Sequence, residues 1–173
     1  ALGLKLKVKA YDPFLTDERV QRLGIERVKT LEKLVSESDI VSLHIPKTEK
    51  TSNIINASLI KKMKRTAILV NCARGGLIDE IALKENLEKG KVASAALDVF
   101  VNEPPKNSPL LGTKNLIMTP HLGASTTEAQ EKVALQVAEQ ITDYLKTGAI
   151  TNAVNTFSLT AKEYNSVQPY LKL

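Results

Sequence analysis

The 173-residue chain has one cysteine, no tryptophan and two histidines, and only 4% of its residues are aromatic. A single cysteine excludes an intrachain disulfide and fits a reducing, cytoplasmic compartment. Two histidines, one cysteine and no H-E-x-x-H pair argue against zinc, so no metal is expected. No apolar run approaches the roughly 20 residues that cross a bilayer as a helix, so no membrane partner is expected either. The shortage of aromatics also bears on the net charge of +5. Lys61, Lys62, Lys64, Lys84, Lys89 and Lys91 are scattered over helices and turns, which is the pattern of a solvated surface and not of a nucleic-acid groove. The chain opens at Ala1 without methionine, already inside a pattern, so the lack of a leader peptide is uninformative. Finally, no two of the eight glycines lie two positions apart. The G-x-G-x-x-G turn that cradles a dinucleotide pyrophosphate is therefore absent.

What is present is an alternation of strand and helix patterns, the mark of a parallel sheet covered by helices. Leu6 to Tyr11 reads as a strand broken by Asp12-Pro13, and Asp17 to Leu23 as a short helix. Thr30 caps a helix through Val35, Asp39 to Ile45 is a strand stopped by Pro46, and Asn56 caps Ala57 to Lys64. Ala67 to Asn71 is the next strand, and Asp79 caps Glu80 to Lys89, closed by Gly90. Val92 to Val99, small and β-branched, reads as a fully buried strand, and Leu116 to Thr119 as the last one. Ser125-Thr126-Thr127-Glu128 reads as a capping box opening a long helix to about Lys146, closed by Gly148. Ala129, Val133, Val137, Ile141 and Leu145 give that helix one apolar stripe. The pattern lapses after Thr151, with a further helix expected beyond Pro169. The fold expected is α/β, a Rossmann-type parallel sheet with helices on both faces.

Chemistry-bearing residues gather just after the strands, where open α/β sheets bind ligands. Asp12 ends the first strand. In a dinucleotide fold an acid there holds the adenosine ribose hydroxyls and repels a 2′-phosphate, whereas alone it makes an ordinary Asp-Pro turn. Arg74 follows Asn71-Cys72-Ala73 and can grip a carboxylate bidentately, with Gly75-Gly76 allowing close backbone approach. Cys72 reads as a small packing residue whose backbone lines the site, not as a nucleophile. Glu103 lies before Pro104-Pro105, and His121 follows Pro120. His44, at a strand end, is a structural or cofactor-wall residue by default.

Val70 to Asp79 (VNCARGGLID), Ala96 to Pro105 (ALDVFVNEPP) and Pro120 to Thr126 (PHLGAST) occur in that order. Together they resemble the motifs of the D-isomer-specific 2-hydroxyacid dehydrogenases, most of all the branch that oxidises 3-phospho-D-glycerate to 3-phosphohydroxypyruvate in serine biosynthesis. The resemblance implies NAD as cofactor and Arg74, Glu103 and His121 as the catalytic residues. In it His121 is the acid/base, Glu103 hydrogen-bonds the imidazole and favours its charged form, and Asp98 bonds the nicotinamide carboxamide. The remaining cofactor contacts fall on Asp12, on His44-Ile45-Pro46, on Cys72, Ala73 and Arg74, and on Gly123 and Ala124 beside His121.

The resemblance further implies a homo-oligomer. Residues 1–152 are then a partial NAD-binding domain lacking its first strand and glycine-rich loop, and residues 153–173 a segment returning to a substrate domain. Without that central strand, the first two of the five strands are expected to stand apart from the last three across about 10 Å, two strand spacings. Sister enzymes acting on glyoxylate, hydroxypyruvate or D-lactate are alternatives, as is an NAD-sensing scaffold of the corepressor type.

Overall fold

Side-chain caps mark where the chain leaves extended backbone for helix. In the computed structural model, which describes residues 1–153 and 158–170, Thr16 opens α1 (Asp17–Leu23) and Thr30 opens α2 (Leu31–Glu37). Asn56 opens α3 (Ala57–Lys62) and Asp79 opens α4 (Glu80–Glu88). In each case the cap oxygen accepts the N–H three residues on, satisfying a donor that a helix start leaves unpaired. The chain divides into two units, Ala1–His121 and Leu122–Leu173.

The strands of the first unit are β1 (Lys9–Ala10), β2 (Glu26–Arg27), β3 (Ile40–Leu43), β4 (Ile68–Asn71), β5 (Ser94–Leu97) and β6 (Leu116–Met118). All pairings are parallel: β1 with β2 in one sheet, and β3-β4-β5-β6 in a second. Lys9 holds the small sheet to α2, its Nζ 2.5 Å from Glu37 Oε2 and 3.4 Å from Glu26 Oε1. Leu43 stands beside Asn71, Asn71 beside Leu97, and Leu97 beside Met118. The register therefore delivers the carboxyl ends of four strands to one edge.

Strands do fall into two groups, but not the expected ones. Ile40–Leu43 pairs directly with Ile68–Asn71 and belongs with the later strands, while the partner of β1 is Glu26–Arg27. Two exposed charged residues carry no apolar alternation, so the sequence pattern passes over β2. The first strand is also shorter than expected. Residues 2–4 form a 3-10 turn closed by Lys5 at φ 58, and only Lys9–Ala10 pairs.

Burial alternates along the large sheet. Val41, Leu43, Leu69, Ala95 and Leu97 face a core completed by Val35 of α2, Leu59 and Ile60 of α3, and Leu83 and Leu87 of α4. Each of these valines, leucines and isoleucines taken fully from water contributes about 1.5–3 kcal/mol. Ser94 and Ala96 are only half-buried and Ile40 and Ile117 are exposed, so β5 is buried on one face and not on both.

The second unit holds α5 (Thr127–Thr147) and α6 (Ala161–Val167), which pack together. Thr126, and not Ser125, caps α5, and Gly148 ends it at φ 78 with Tyr164 Oη close above. Val133, Val137, Ile141 and Leu145 are exposed. A helix precedes Pro169, opened by a capping box of Thr160 and Glu163; beyond Pro169 only Tyr170, in the 3-10 turn Gln168–Tyr170, is among the described residues, and the expected later helix falls outside them. Of the expected returning segment 153–173, residues 154–157 and 171–173 lie outside the described residues.

Candidate active site

Four loops leave the carboxyl edge of the large sheet, and Arg74, Asp98, Glu103 and His121 lie on three of them. After β4, Asn71 is buried and spends its whole side chain on the loop that follows. Its Nδ2 donates to the Arg74 carbonyl at 2.9 Å, and its Oδ1 accepts the Ala73 N–H at 3.0 Å. This wraps 72–74 into a tight turn with Arg74 exposed on it. The guanidinium Nη1 donates to the Ala73 carbonyl at 2.6 Å, and it has no ion-pair partner among the described residues. Its charge is available for an anion, and the planar fork suits a carboxylate. Cys72, expected to pack, is exposed. The polar pull of Asn71 directs the turn outward and takes the thiol with it.

Gly75 makes a close approach, but to the protein itself. A Cβ there would lie 1.7 Å from the carbonyl oxygen of Phe100. The Arg74 turn is thus pressed against the backbone that follows β5. Gly76, at φ 76, lies under the Lys47 side chain.

After β5, Asp98 is buried, with the Thr119 hydroxyl donating to its Oδ1. Its N–H donates to the Asn71 carbonyl at 3.0 Å, extending the ladder one step. Val99 and Phe100 are buried before the chain swings out to Glu103. Glu103 turns back on its own loop, Oε1 accepting the Phe100 N–H at 3.0 Å. Its Oε2 lies 2.6 Å from His121 Nδ1. The contact to His121, then the Phe100 N–H, hold the Glu103 carboxyl below its ordinary range.

His121 leaves β6 through Thr119-Pro120, and its N–H donates back to the Thr119 carbonyl at 3.0 Å. Its φ is 55, the left-handed region that a non-glycine residue enters at a cost. With Nδ1 on Glu103, the ring is oriented for Nε2 to exchange a proton with a bound molecule.

The outer positions divide. His44 is exposed just after β3, with Nε2 2.9 Å from Ser42 Oγ; Ile45 packs on the core, and the Pro46 carbonyl accepts from Thr51 Oγ1. Asp12 follows β1, with Oδ1 accepting the Phe14 N–H at 2.8 Å. That is the ordinary Asp-Pro turn foreseen as its alternative, and its second oxygen has no partner among the described residues. Gly123 and Ala124 belong to the second unit, in the turn before α5, where the Ala124 carbonyl accepts from Gln130 Nε2.

Sequence reasoning missed Asn71, Thr119 and Glu80. Asn71 offered one signal, a polar residue ending an apolar strand. The partners of Thr119 and Glu80 are 21 or more residues away, beyond any local spacing. A hollow of about 560 Å³ between α3 and α4 is lined by Lys61, Glu85, Lys89 and Lys91 and holds none of the candidate residues.

The family model described as D-isomer specific 2-hydroxyacid dehydrogenase, NAD binding domain, matches residues 1–123. D-3-phosphoglycerate dehydrogenase of Synechocystis sp. is 50% identical over 173 residues, covering 100% of this chain and 31% of that protein. The enzyme of the same name from Methanocaldococcus jannaschii is 45% identical, covering 100% of this chain and 33% of that protein. The chain thus spans about a third of the length of these relatives. Among solved structures, D-mandelate dehydrogenase of Rhodotorula graminis superposes with a TM-score of 0.77 at 33% identity, over 91% of this chain and 46% of that one. An NAD-complexed D-isomer specific 2-hydroxyacid dehydrogenase of Lactobacillus delbrueckii ssp. bulgaricus superposes with 0.68 at 28% identity, over 87% of this chain and 49% of that one.

Proposed function

The chain belongs to the D-isomer specific 2-hydroxyacid dehydrogenases through their NAD-binding domain, and from that premise we propose that the protein it forms part of oxidises 3-phospho-D-glycerate to 3-phosphohydroxypyruvate. The observation that carries the reading is the Glu103–His121 pair, 2.6 Å apart at the carboxyl edge, with the unpaired Arg74 on the neighbouring loop. The choice of substrate rests on the 50% identity to a phosphoglycerate dehydrogenase, against 33% to the mandelate enzyme.

Bound NAD supplies a hydride acceptor. The residues present fit a nicotinamide nucleotide at two of its parts. Asp98, buried and held by Thr119, keeps a carboxylate at the foot of the loops, where it can accept from a carboxamide. Asp12 offers its second oxygen to ribose hydroxyls. No G-x-G-x-x-G is present for the pyrophosphate.

The chain's own part is binding and proton transfer. Arg74 grips the substrate carboxylate and orients the carbinol carbon. Neutral His121 accepts the hydroxyl proton at Nε2 as the C2–H bond breaks. Glu103 then faces a charged imidazolium across the 2.6 Å contact and stabilises it as it forms. In reduction the protonated ring returns the proton. The wider reading takes in a cytoplasmic, homo-oligomeric enzyme; the exposed thiol of Cys72, which persists in a reducing compartment, supports the first of these.

The test is steady-state kinetics on the complete gene product, following NADH with 3-phospho-D-glycerate, D-lactate and D-glycerate, and in reverse with glyoxylate and hydroxypyruvate. A kcat/KM for the phosphorylated acid well above the others is expected. Preference for an unphosphorylated acid moves the assignment to a sister enzyme. Nucleotide binding without turnover of any of them replaces catalysis with a sensing role.

A further inference from the structure

The segment that carries Glu103 is poorly supported by packing. Its roots, Phe100 and Leu110, are buried, but residues 101–104 and 106–107 are exposed. A hollow of about 510 Å³, lined by Glu80, Val101, Pro104 and Ser108 among others, opens between this segment and the start of α4. One side chain crosses from α4 to hold both of its ends. Glu80 Oε1 accepts the Val101 N–H at 2.9 Å, and Glu80 Oε2 accepts from Ser108 Oγ at 2.9 Å. Ser108 Oγ in turn accepts the Leu110 N–H at 3.2 Å. Glu80 itself is fixed, because it is the first residue of a helix whose cap, Asp79, is bonded to the Ala82 N–H.

We infer that Glu80 is a positioning residue for catalysis: by clasping both ends of the 101–108 segment it sets where Glu103 stands relative to His121. The clasp needs two acceptors at a fixed distance from a rigid helix. A carboxylate provides them, and both bonds are charge-assisted. Val101 follows Phe100 directly, and Phe100 supplies the N–H that orients Glu103 Oε1. Releasing Val101 therefore loosens the peptide that aims the Glu103 carboxylate. The groups facing that carboxylate are His121, across the 2.6 Å contact, and Asp98 at the foot of the loop. Glu80 touches neither His121 nor any atom the proposed reaction uses. This inference rests on the proposed dehydrogenase reading, but its test does not depend on turnover alone.

The experiment uses the complete gene product with Glu80→Ala, Glu80→Gln, Glu103→Gln and the double variant Glu80→Ala/Glu103→Gln. The Glu103 side-chain carboxyl is assigned by NMR as the signal lost in Glu103→Gln, so its titration can be followed with or without activity. Glu80→Ala is expected to raise the Glu103 titration toward its ordinary value, because a loosened Phe100 N–H no longer holds the carboxylate. It should also lower kcat roughly tenfold, with KM for NAD nearly unchanged. Glu80→Gln, which keeps one acceptor oxygen, should recover part of both effects. In the Glu103→Gln background Glu80→Ala should add nothing further, because its effect passes through Glu103. A Glu103 titration unmoved by Glu80→Ala, or losses that multiply in the double variant, overturns the inference. If Glu80→Ala does not fold, Ser108→Ala removes one of the two bonds and carries the same expectations at smaller size. A parent protein that turns over no 2-hydroxy acid refutes the proposed function, while the NMR arm still decides the role of Glu80.

Discussion

Replacing Gly75 by alanine tests whether the Arg74 and Glu103 loops are locked together. The added Cβ would lie 1.7 Å from the Phe100 carbonyl oxygen, 2.2 Å from its carbonyl carbon and 3.0 Å from its Cα. All three are backbone atoms, so no rotamer change relieves the clash. Ordinary contact requires a relative shift of roughly 1.5 Å or more between the two loops. Phe100 is buried, and Asn71 ties the other loop down through two hydrogen bonds, so neither side moves freely. Overpacking of this kind costs about 1–3 kcal/mol, and the upper end is expected against main chain. For a melting unit of this size that is on the order of 6–12 °C in Tm, and less where a larger unit of the complete gene product melts with it. Because one loop carries Arg74 and the other Glu103, the strain also separates the proposed carboxylate grip from the proposed proton-transfer pair, and a misplacement of about 1 Å can cost 100-fold in rate. The assay is thermal melting and kcat/KM of the complete gene product, with Gly3→Ala as the control, since a Cβ at Gly3 meets nothing within 4 Å. If Gly75→Ala melts and turns over like Gly3→Ala, the interlock would be refuted.

Asn71→Ala removes both bonds that fold the Arg74 turn. It is expected to cost about 1–3 kcal/mol by urea unfolding and to raise KM for the 2-hydroxy acid more than KM for NAD. Asp12→Ala is expected to bring the NADP and NAD values of kcat/KM closer together; an unchanged ratio leaves Asp12 with only its turn bond to Phe14. The Glu103 carboxyl is held below its ordinary value of 4.5, so its contribution to stability is complete above that value. That contribution is lost as pH falls through the lower value of the folded protein, so Tm should fall less steeply on acidification in Glu103→Gln than in the parent. In the same variant the proposed imidazolium loses its counter-charge, so kcat should fall in both directions with KM for NAD nearly unchanged. An unchanged kcat would remove Glu103 from the pair.

What was legible in the sequence was what is encoded locally. Thr30, Asn56 and Asp79 each bond an N–H three residues on, and Gly90 and Gly148 each stand just past a helix end with positive φ, so caps and glycines located α2 to α5 closely. Glu103 and His121 were paired through a family resemblance, and the geometry brings them together. The misses follow from distance or from weak pattern. Glu26–Arg27 is a strand because β1 lies beside it, not because its residues alternate. By spacing Glu80 is only the first residue of the helix that Asp79 caps, and its partners, Val101 and Ser108, are brought to it by the crossing from α4 to β5. Gly75 was read as making room for a ligand, whereas the space it leaves is filled by the Phe100 carbonyl.

The left-handed backbone of His121 separates selection for folding from selection for chemistry. At φ 55 an imidazole residue costs more than glycine or asparagine does, and β-branched side chains are nearly barred. A library randomised at this position and sorted only for soluble, well-folded protein should therefore drift away from histidine toward glycine and asparagine. The same library sorted for growth that depends on the enzyme should hold histidine against that drift. Such a split would mark His121 as a position where the demands of the proposed reaction exceed those of the fold.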